Sequence, residues 1–368
     1  MPKEEKQFDF GITTLMGARF SVFITLVKKY GYDKKYRKKV VYSCLISLIV
    51  SALAYFDKLV FALKSKPKNV KDPVFILGHW RSGTTLLHNL LCLDPETAFT
   101  TTYQTVFPNN LFSFQWLFKP IMKLAMPSHR PVDNVKLDAN FPQEEEFALN
   151  NEIPFSFYNW WYFPKSTRAI ADEYLLDKTA SAEAKKEWSV NFKRFVTRCI
   201  LNTKGSRFIS KNPPHTARIP ELLKLYPNAK FIFIDRNPYE VVRSTNAFYR
   251  SILEGIKVQD ISEAKLMSDI LYVYKALIEK YDQDKKMIPE ENLLEIKYAD
   301  LVANPKVTVE LIYTDLLKDD FSRIEMGLDA YLDKQSHTLK EYQYKPEFTE
   351  KVNKALREII TNQNYTVL

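Results

Sequence analysis

The order of apolar and polar positions along the chain predicts an α/β protein. Four segments of four to six residues have the length of strands, and they lie near residues 74–78, 207–210, 231–235 and 293–298. Longer segments with apolar residues at helical spacing lie between and after them, near residues 83–92, 184–203, 216–226, 238–252, 262–281, 305–317 and 347–361. Strands that alternate with helices pair in parallel, so the pattern predicts one mainly parallel sheet with helices on its faces.

A phosphate-binding loop is predicted where the first strand ends. The strand leads into Gly78, a short polar loop containing Gly83, and then a helical pattern, so backbone N–H groups and a helix N-terminus can hold an anion. The two glycines have the spacing of the Walker A loop, but Thr84 replaces its lysine and the basic residue is Arg81. The sequence therefore predicts a phosphate site that is not built for ATP, in a three-layer fold like that of the P-loop kinases.

A second ligand-binding element is predicted at the end of the third strand. Asn237 can cap a helix whose first residue is Pro238. Arg236 then lies at the carboxyl end of the strand, and Ser244 follows eight residues later on the helix. Ligands of open parallel sheets bind beyond the carboxyl ends of the strands, which favours a binding role for Arg236.

Together these elements resemble the sulfotransferases that use 3′-phosphoadenosine-5′-phosphosulfate (PAPS). Residues 81–85, Arg-Ser-Gly-Thr-Thr, match the 5′-phosphosulfate loop of that family, with the arginine that the tyrosylprotein branch and many bacterial members carry. The resemblance implies that Arg236 and Ser244 bind the 3′-phosphate, and that Lys211 is the active-site lysine. It covers residues 73–317 in order and implies transfer of a sulfuryl group from PAPS to a hydroxyl.

The chemistry of the family explains these residue types. Sulfuryl transfer resembles phosphoryl transfer, with a loose in-line transition state and catalysis mostly by positioning and charge stabilisation. Negative charge grows on the departing 5′-phosphate, where cations, amides and hydroxyls are needed. The residues expected to meet that charge are Arg81, Ser82, Gly83, Thr84, Thr85 and Lys211. Three later residues that match the family are expected to be structural, namely Tyr298, Asp300 and Leu301.

The general base is where the sequence departs from the family. The cytosolic branch has histidine two residues after the lysine, but this chain has Pro213 there and His215 two residues later. The tyrosylprotein branch has glutamate about twenty residues after the loop arginine, but residues 101–105 contain no carboxylate. The candidates are His215 and the run of glutamates that begins with Glu144 and Glu145. An alternative interpretation of this run is a solvated start of a helix. Geometry has to decide between them.

Composition narrows the partners. The chain has 53 basic and 44 acidic residues in 368, a net charge of +9, which suits a polyanionic cofactor or an anionic membrane surface. Nucleic acid is not expected, because no motif or basic array for it occurs. No metal is expected either, because the five histidines and three cysteines lack ligand spacing. Cys44, Cys92 and Cys199 give no disulfide framework and favour a reducing compartment.

The first seventy residues are predicted to be an appendage to a catalytic domain of residues 71–368. Apolar stretches at residues 11–27 and 40–56 flank a lysine-rich segment, and seventeen residues is the lower limit for crossing a bilayer. The prediction is peripheral attachment to the cytoplasmic face of a membrane through residues 11–63. The alternatives are a Golgi type II membrane protein and helices that only pack on the catalytic domain.

The acceptor is expected to bind under a cap formed by residues 100–180. Seven aromatic residues lie between Phe155 and Phe163, which favours the wall of an apolar pocket and hence a lipophilic alcohol such as a sterol or lipid. Aromatics also stack on sugars, so a carbohydrate acceptor is an alternative, and core packing is another interpretation. Burial of both Trp160 and Trp161 away from the Arg81–Lys211 cleft would exclude the pocket. The rival functions are a P-loop small-molecule kinase and a catalytically silent nucleotide-binding protein.

Overall fold

A parallel sheet forms the centre of the molecule. The computed structural model describes residues 13–125, 138–334 and 342–368. Its strands are β1 (Lys71–Leu77), β2 (Thr97–Ala98), β3 (Arg207–Lys211), β4 (Lys230–Asp235) and β5 (Leu293–Lys297). All neighbours pair in parallel, in the order β2-β3-β1-β4-β5. The carboxyl ends of β1, β3 and β4 therefore lie side by side at the middle of one edge.

Helices connect the strands and cover the sheet. The α-helices of the described residues are α1 (Phe20–Tyr30), α2 (Arg37–Ala62), α3 (Thr84–Leu91), α4 (Thr102–Val106), α5 (Gln115–Ala125), α6 (Glu145–Glu152), α7 (Thr167–Tyr174), α8 (Ala182–Thr203), α9 (Ile219–Leu225), α10 (Pro238–Ile256), α11 (Glu263–Asp284), α12 (Tyr298–Ala303), α13 (Pro305–Leu311), α14 (Ser322–Leu332) and α15 (Pro346–Asn362). A π-helical turn (Ile312–Leu317) continues α13. The predicted α/β fold with a mainly parallel sheet is confirmed; β2 is an unpredicted strand of two residues.

The two faces of the sheet have different cores. Phe75 on β1 and Phe231 and Phe233 on β4 point to one face, where they pack with helices α8, α10 and α11. Ile76 and Ile232 point to the opposite face, into an aliphatic core with α3, α13 and α14. Successive strand residues alternate between faces, so these strands, buried on both sides, read as continuous apolar runs. The arrangement is the expected three layers.

Candidate active site

The loop after β1 has a backbone that few side chains allow. Gly78, Arg81 and Gly83 have φ values of 138°, 70° and 102°. A Cβ on Gly78 would lie 2.7 Å from Ser82 Oγ, and one on Gly83 would lie 2.4 Å from the Tyr298 ring. Both positions therefore require glycine. Gly83 is the N-cap of α3, so the loop delivers the chain to a helix N-terminus, as an anion site needs.

The loop side chains face both the interior and the cleft. Ser82 and Thr84 are buried, whereas Gly83 and Thr85 are half-buried. The Ser82 hydroxyl has no hydrogen-bond partner among the described residues, and a buried hydroxyl without a partner is costly. This loop therefore holds a polar group that an anionic oxygen can satisfy.

The structure brings the predicted phosphate residues together from distant parts of the chain. Arg81 Nε donates to Ser244 Oγ over 3.1 Å, and Arg236 Nη1 donates to the Arg81 carbonyl oxygen over 2.9 Å. The Arg236 guanidinium also lies 3.9 Å from the centre of the Tyr298 ring and forms an ion pair with Glu240 at 2.8 Å. Two guanidinium groups and a hydroxyl thus lie together beyond the carboxyl ends of β1 and β4, a region that we call the cleft.

Lys211 at the end of β3 contacts the first residue of the glutamate run. Its Nζ donates to Glu144 Oε1 over 2.7 Å, with the lysine side chain 2% and the glutamate side chain 14% exposed. The Tyr158 hydroxyl donates to Glu144 Oε2 and accepts from Trp80 Nε1 at 2.8 Å. Burial first, and the Glu144 charge second, raise the pKa of Tyr158 well above its ordinary value. Tyr158 therefore stays protonated and orients the carboxylate.

The other two glutamates of the run are buried and hydrogen-bonded to side chains of other elements. Ser210 Oγ donates to Glu145 Oε1, which also lies 3.1 Å from His215 Nε2. Glu146 forms two hydrogen bonds of 2.6 and 2.9 Å with Arg218. Burial by itself would raise the pKa of Glu146, but Arg218 outweighs it, and the pKa falls to about 2. The interpretation of the run as a solvated helix start is therefore wrong, although Glu145 does begin α6.

His215, the other candidate base, lies behind Glu145. Its ring is fully buried, with the Phe75 and Phe192 rings 5.6 and 5.1 Å away. Glu144 is the more accessible of the two candidates and the one in contact with Lys211.

The aromatic segment packs directly behind this cleft. Residues Phe157–Trp161 form a 3₁₀ turn in which all side chains are buried. Trp161 packs on Phe248 with ring centres 5.9 Å apart, and the Arg81 guanidinium lies 5.0 Å from that same Phe248 ring. Trp161 is thus buried with one ring, that of Phe248, between it and Arg81, and Trp160 stacks on Trp161 with ring centres 4.8 Å apart. A role in an acceptor pocket stays a prediction.

No group of three or more potential metal ligands occurs among residues 13–125, 138–334 and 342–368; His129 and His337 lie outside them. His79 and His88 are buried, and burial lowers their pKa values to about 4 and about 3. Both histidines are therefore neutral at pH 7. The three cysteines are free, and Cys199 is buried whereas Cys44 and Cys92 are partly buried.

Sequence reasoning missed several residues of the cleft. Glu240 had a usable signal, since it follows Arg236 by four residues on a predicted helix and such residues are neighbours. Tyr298 was expected to be structural, yet it packs on both Gly83 and Arg236. Tyr158 lies in the aromatic segment predicted to line an acceptor pocket, but its contact with Glu144 had no signal in the sequence. Phe248 had no signal at all, because it lies within a long helix.

Comparisons with known proteins agree with this geometry. A profile described as "Sulfotransferase family" matches residues 73–317. Curated relatives from Mycobacterium bovis and Mycobacterium tuberculosis, both named omega-hydroxy-beta-dihydromenaquinone-9 sulfotransferase Stf3, are 30% identical over 356 residues, which is 95% of this chain and 90% of theirs. The crystal structure of sulfotransferase STF9 from Mycobacterium avium has a TM-score of 0.67 at 15% identity, covering 95% of this chain and 98% of that one. Sulfotransferase STF1 from Mycobacterium tuberculosis has a TM-score of 0.62 at 16% identity, with 90% of each chain covered.

Proposed function

The chain belongs to the sulfotransferase family, and from that premise we propose that it transfers the sulfuryl group of PAPS to the hydroxyl of a lipophilic alcohol. The observation that carries the proposal is the contact of Arg81 with Ser244 and Arg236 beyond the carboxyl ends of β1 and β4, with Lys211 at the end of the neighbouring strand β3. These cations suit a donor with phosphate at both its 3′ and 5′ positions.

The residues present fit such a donor. The loop of residues 81–85 holds the 5′-phosphosulfate through its amides, and the unpartnered Ser82 hydroxyl supplies a further donor. Arg236 and Ser244 hold the 3′-phosphate. Thr84 occupies the position of the Walker lysine, which disfavours ATP as the bound nucleotide and therefore disfavours the small-molecule kinase.

Glu144 acts as the general base in this proposal. It accepts the proton of the acceptor hydroxyl while the acceptor oxygen forms its bond to sulfur and the bond from sulfur to the 5′-phosphate oxygen breaks. Lys211, released from Glu144 as that carboxylate becomes neutral, then faces the negative charge growing on the phosphate, together with Arg81. His215, buried behind Glu145, is the second candidate for the base.

A lipophilic acceptor is favoured over a carbohydrate by the relatives. They are named for an omega-hydroxylated beta-dihydromenaquinone-9, a menaquinone lipid that carries a hydroxyl. The aromatic residues 155–163 beside the cleft suit an acceptor of that kind. We propose that the protein attaches peripherally to the cytoplasmic face of the membrane that holds the acceptor; these relatives are bacterial, and bacteria have no Golgi apparatus.

Donor binding is the first test. Thermal unfolding is measured with 3′,5′-ADP and with ATP–Mg²⁺, for the wild type and Arg236→Ala. A ligand at one hundred times its Kd adds about 2.7 kcal/mol to the free energy of unfolding, so 3′,5′-ADP should stabilise the wild type and not the variant. Arg250→Ala, at an exposed position on helix α10, which begins two residues after Arg236, is the matched control and should behave as wild type. Stabilisation by ATP–Mg²⁺ alone would overturn the proposal.

The acceptor class is tested by transfer of ³⁵S from labelled PAPS. The acceptors compared are an isoprenoid alcohol, a sterol and a simple sugar, each in detergent micelles. We expect transfer to the lipid alcohols and not to the sugar. The reverse preference would contradict the lipophilic acceptor while leaving the sulfotransferase activity intact.

A further inference from the structure

Helix α2 has its apolar side on the outside. The residues that it buries against the domain are mostly small or polar, including Ser43, Ser47 and Asp57. Its large apolar side chains are exposed, namely Val41, Tyr42, Leu45, Leu48, Ile49, Tyr55, Phe56, Leu59 and Val60. Exposed apolar surface of this extent marks an interaction site in soluble proteins.

Three serines spaced four residues apart form hydrogen bonds that hold the inner side of α2 against residues 13–20. Ser43 Oγ accepts from the Thr13 amide at 2.9 Å, and Ser47 Oγ donates to the Ala18 carbonyl oxygen at 2.8 Å. One turn further, Ser51 Oγ accepts from the Phe20 amide at 2.7 Å. Since residues four apart lie on one face of a helix, these bonds form a row that points at the protein.

A buried ion pair holds the C-terminal end of α2 on the domain. Asp57 Oδ1 accepts from the amides of Phe112 and Ser113 at 2.6 and 2.9 Å, and its second oxygen lies 3.4 Å from Arg198. Asp57 and Arg198 are both buried. Removing one partner of a buried pair leaves an uncompensated charge. Helix α2 is long and apolar enough to cross a membrane, but crossing would break these contacts.

Helix α5 extends the exposed surface. Trp116 and Leu124 are 73% and 90% exposed, and Ile121 is exposed on the same helix, while its inner side packs Phe118 and Met122 into a small core. Phe56 of α2 meets Phe114, just before α5, with ring centres 6.1 Å apart. The exposed apolar residues of α2 and α5 therefore lie on neighbouring helices, and we call them the apolar face.

Basic residues border the apolar face at both ends of α2. Between residues 13 and 70 the chain has twelve lysines and arginines and two carboxylates. Of those carboxylates, Asp57 is buried and Asp33 is paired with Lys165 at 2.5 Å. The exposed cations flanking the helix are Lys34, Lys35, Arg37, Lys38, Lys64, Lys66 and Lys68. Apolar side chains bordered by cations match the core and the headgroups of an anionic bilayer.

We propose that α2 and α5 dock flat on an anionic lipid bilayer, with their apolar side chains at the level of the upper acyl chains and the lysines among the headgroups. The inference rests on the proposed function in that it makes concrete how the enzyme meets its lipid acceptor. It adds α5 to the attachment and assigns α2 an orientation in the plane of the membrane.

The test is sedimentation of the full chain with vesicles of phosphatidylcholine, with and without one quarter phosphatidylglycerol. The wild type should bind the anionic vesicles, more weakly as salt is raised. The double variant Ile49→Glu plus Trp116→Glu should lose at least tenfold in affinity. Met326→Glu, an equally exposed apolar position on α14, should bind as wild type. Equal binding by all three proteins, or no binding by the wild type, would overturn the proposal.

Two further measurements separate the remaining outcomes. Alkaline carbonate should release the protein from vesicles, whereas retention would indicate a spanning helix and contradict the flat orientation. Sedimentation velocity without lipid should show one species; a dimer abolished by Trp116→Glu would assign the apolar face to a second copy instead. Because vesicle binding is read without turnover, it can fail while ³⁵S transfer to a micellar acceptor persists, and the reverse, so the two proposals fail independently.

Discussion

At the scale of single residues, the glutamate run shows how neighbours in sequence come to have different tasks. Glu144 is partly exposed and meets Lys211 and Tyr158, while Glu146 is fully buried against Arg218. The difference follows from position, since Glu144 caps α6 and Glu146 lies within its first turn. A charged residue in the cleft can take part in proton transfer, whereas one in a fully buried ion pair contributes to the stability of the fold.

Replacing Glu144 by glutamine tests its role as the base. The substitution keeps the shape but removes the proton acceptor, so kcat should fall about 10²- to 10⁴-fold. Affinity for 3′,5′-ADP should change little, because the contacts of the Glu144 carboxylate described above are to Lys211 and Tyr158 and not to the 3′-phosphate residues Arg236 and Ser244. Steady-state ³⁵S transfer and calorimetric titration measure the two quantities. If Glu144→Gln stays active while a folded His215→Ala is inactive, the base is His215.

Glu240 is expected to weaken donor binding. Its carboxylate is paired with Arg236 and would lie close to a bound 3′-phosphate, so the two negative groups compete for one guanidinium. Glu240→Gln should therefore lower the Kd for 3′,5′-ADP several-fold. This corresponds to about 1 kcal/mol of binding free energy, the size expected for a partly exposed ion pair. Glu254→Gln on the same helix is the control. Weaker binding by Glu240→Gln would mean instead that the pair holds Arg236 in its binding position.

At the scale of elements, the loop between β1 and α3 depends on its glycines. Gly83→Ala would put a methyl group into the Tyr298 ring at a φ of 102°, a backbone state that costs other residues about 1–3 kcal/mol. Both the free energy of unfolding and the affinity for 3′,5′-ADP should fall.

A glycine on an ordinary helix provides the control for that substitution. Gly327 lies within α14, where an added Cβ would be 3.9 Å from its nearest neighbour, Leu93. Gly327→Ala should leave stability unchanged or raise it by about 0.5–1 kcal/mol, as alanine does in helices. Equal losses for both variants in urea unfolding would contradict the strain that we assign to the loop.

At the scale of the whole molecule, stability should fall as the solution is acidified below pH 6.5. Buried His79 and His88 have folded pKa values of about 4 and about 3, below their ordinary 6.5. Between those values and 6.5 the unfolded chain binds protons that the folded chain does not. Each histidine therefore lowers the free energy of unfolding by about 1.4 kcal/mol for every unit by which the pH falls. Below about pH 4.5, Glu146, with its pKa of about 2, adds to the loss.

Urea unfolding between pH 7.5 and 5 measures this dependence. His88→Gln should flatten the slope over that range, whatever it does to stability at pH 7.5. His337→Gln is a histidine control outside the described residues. A slope unchanged by His88→Gln would show that His88 is not the group that titrates on unfolding.

The sequence by itself determined the α/β fold, the positions of its four main strands along the chain, the two glycines of the loop and the family. These are local signals, because consecutive residues are enough to specify a buried strand, a helix cap or a tight turn. The unpredicted β2 has only two residues, too few to carry a pattern. The sites of Arg81, Lys211, Arg236 and Ser244 came from motifs that lie at strand ends, where the topology of a parallel sheet fixes their neighbourhood.

Only the tertiary structure decided which carboxylate faces Lys211 and which side of α2 faces outward. Glu144, Glu145 and Glu146 have the same chemistry in sequence, and their partners come from residues 10 to 72 positions away. In α2 the apolar stretch predicted membrane attachment but not which side of the helix faces the protein; hydrogen bonds and the Asp57–Arg198 pair hold its serine side inward. Composition gives the amount of apolar surface, whereas long-range polar contacts decide where that surface points.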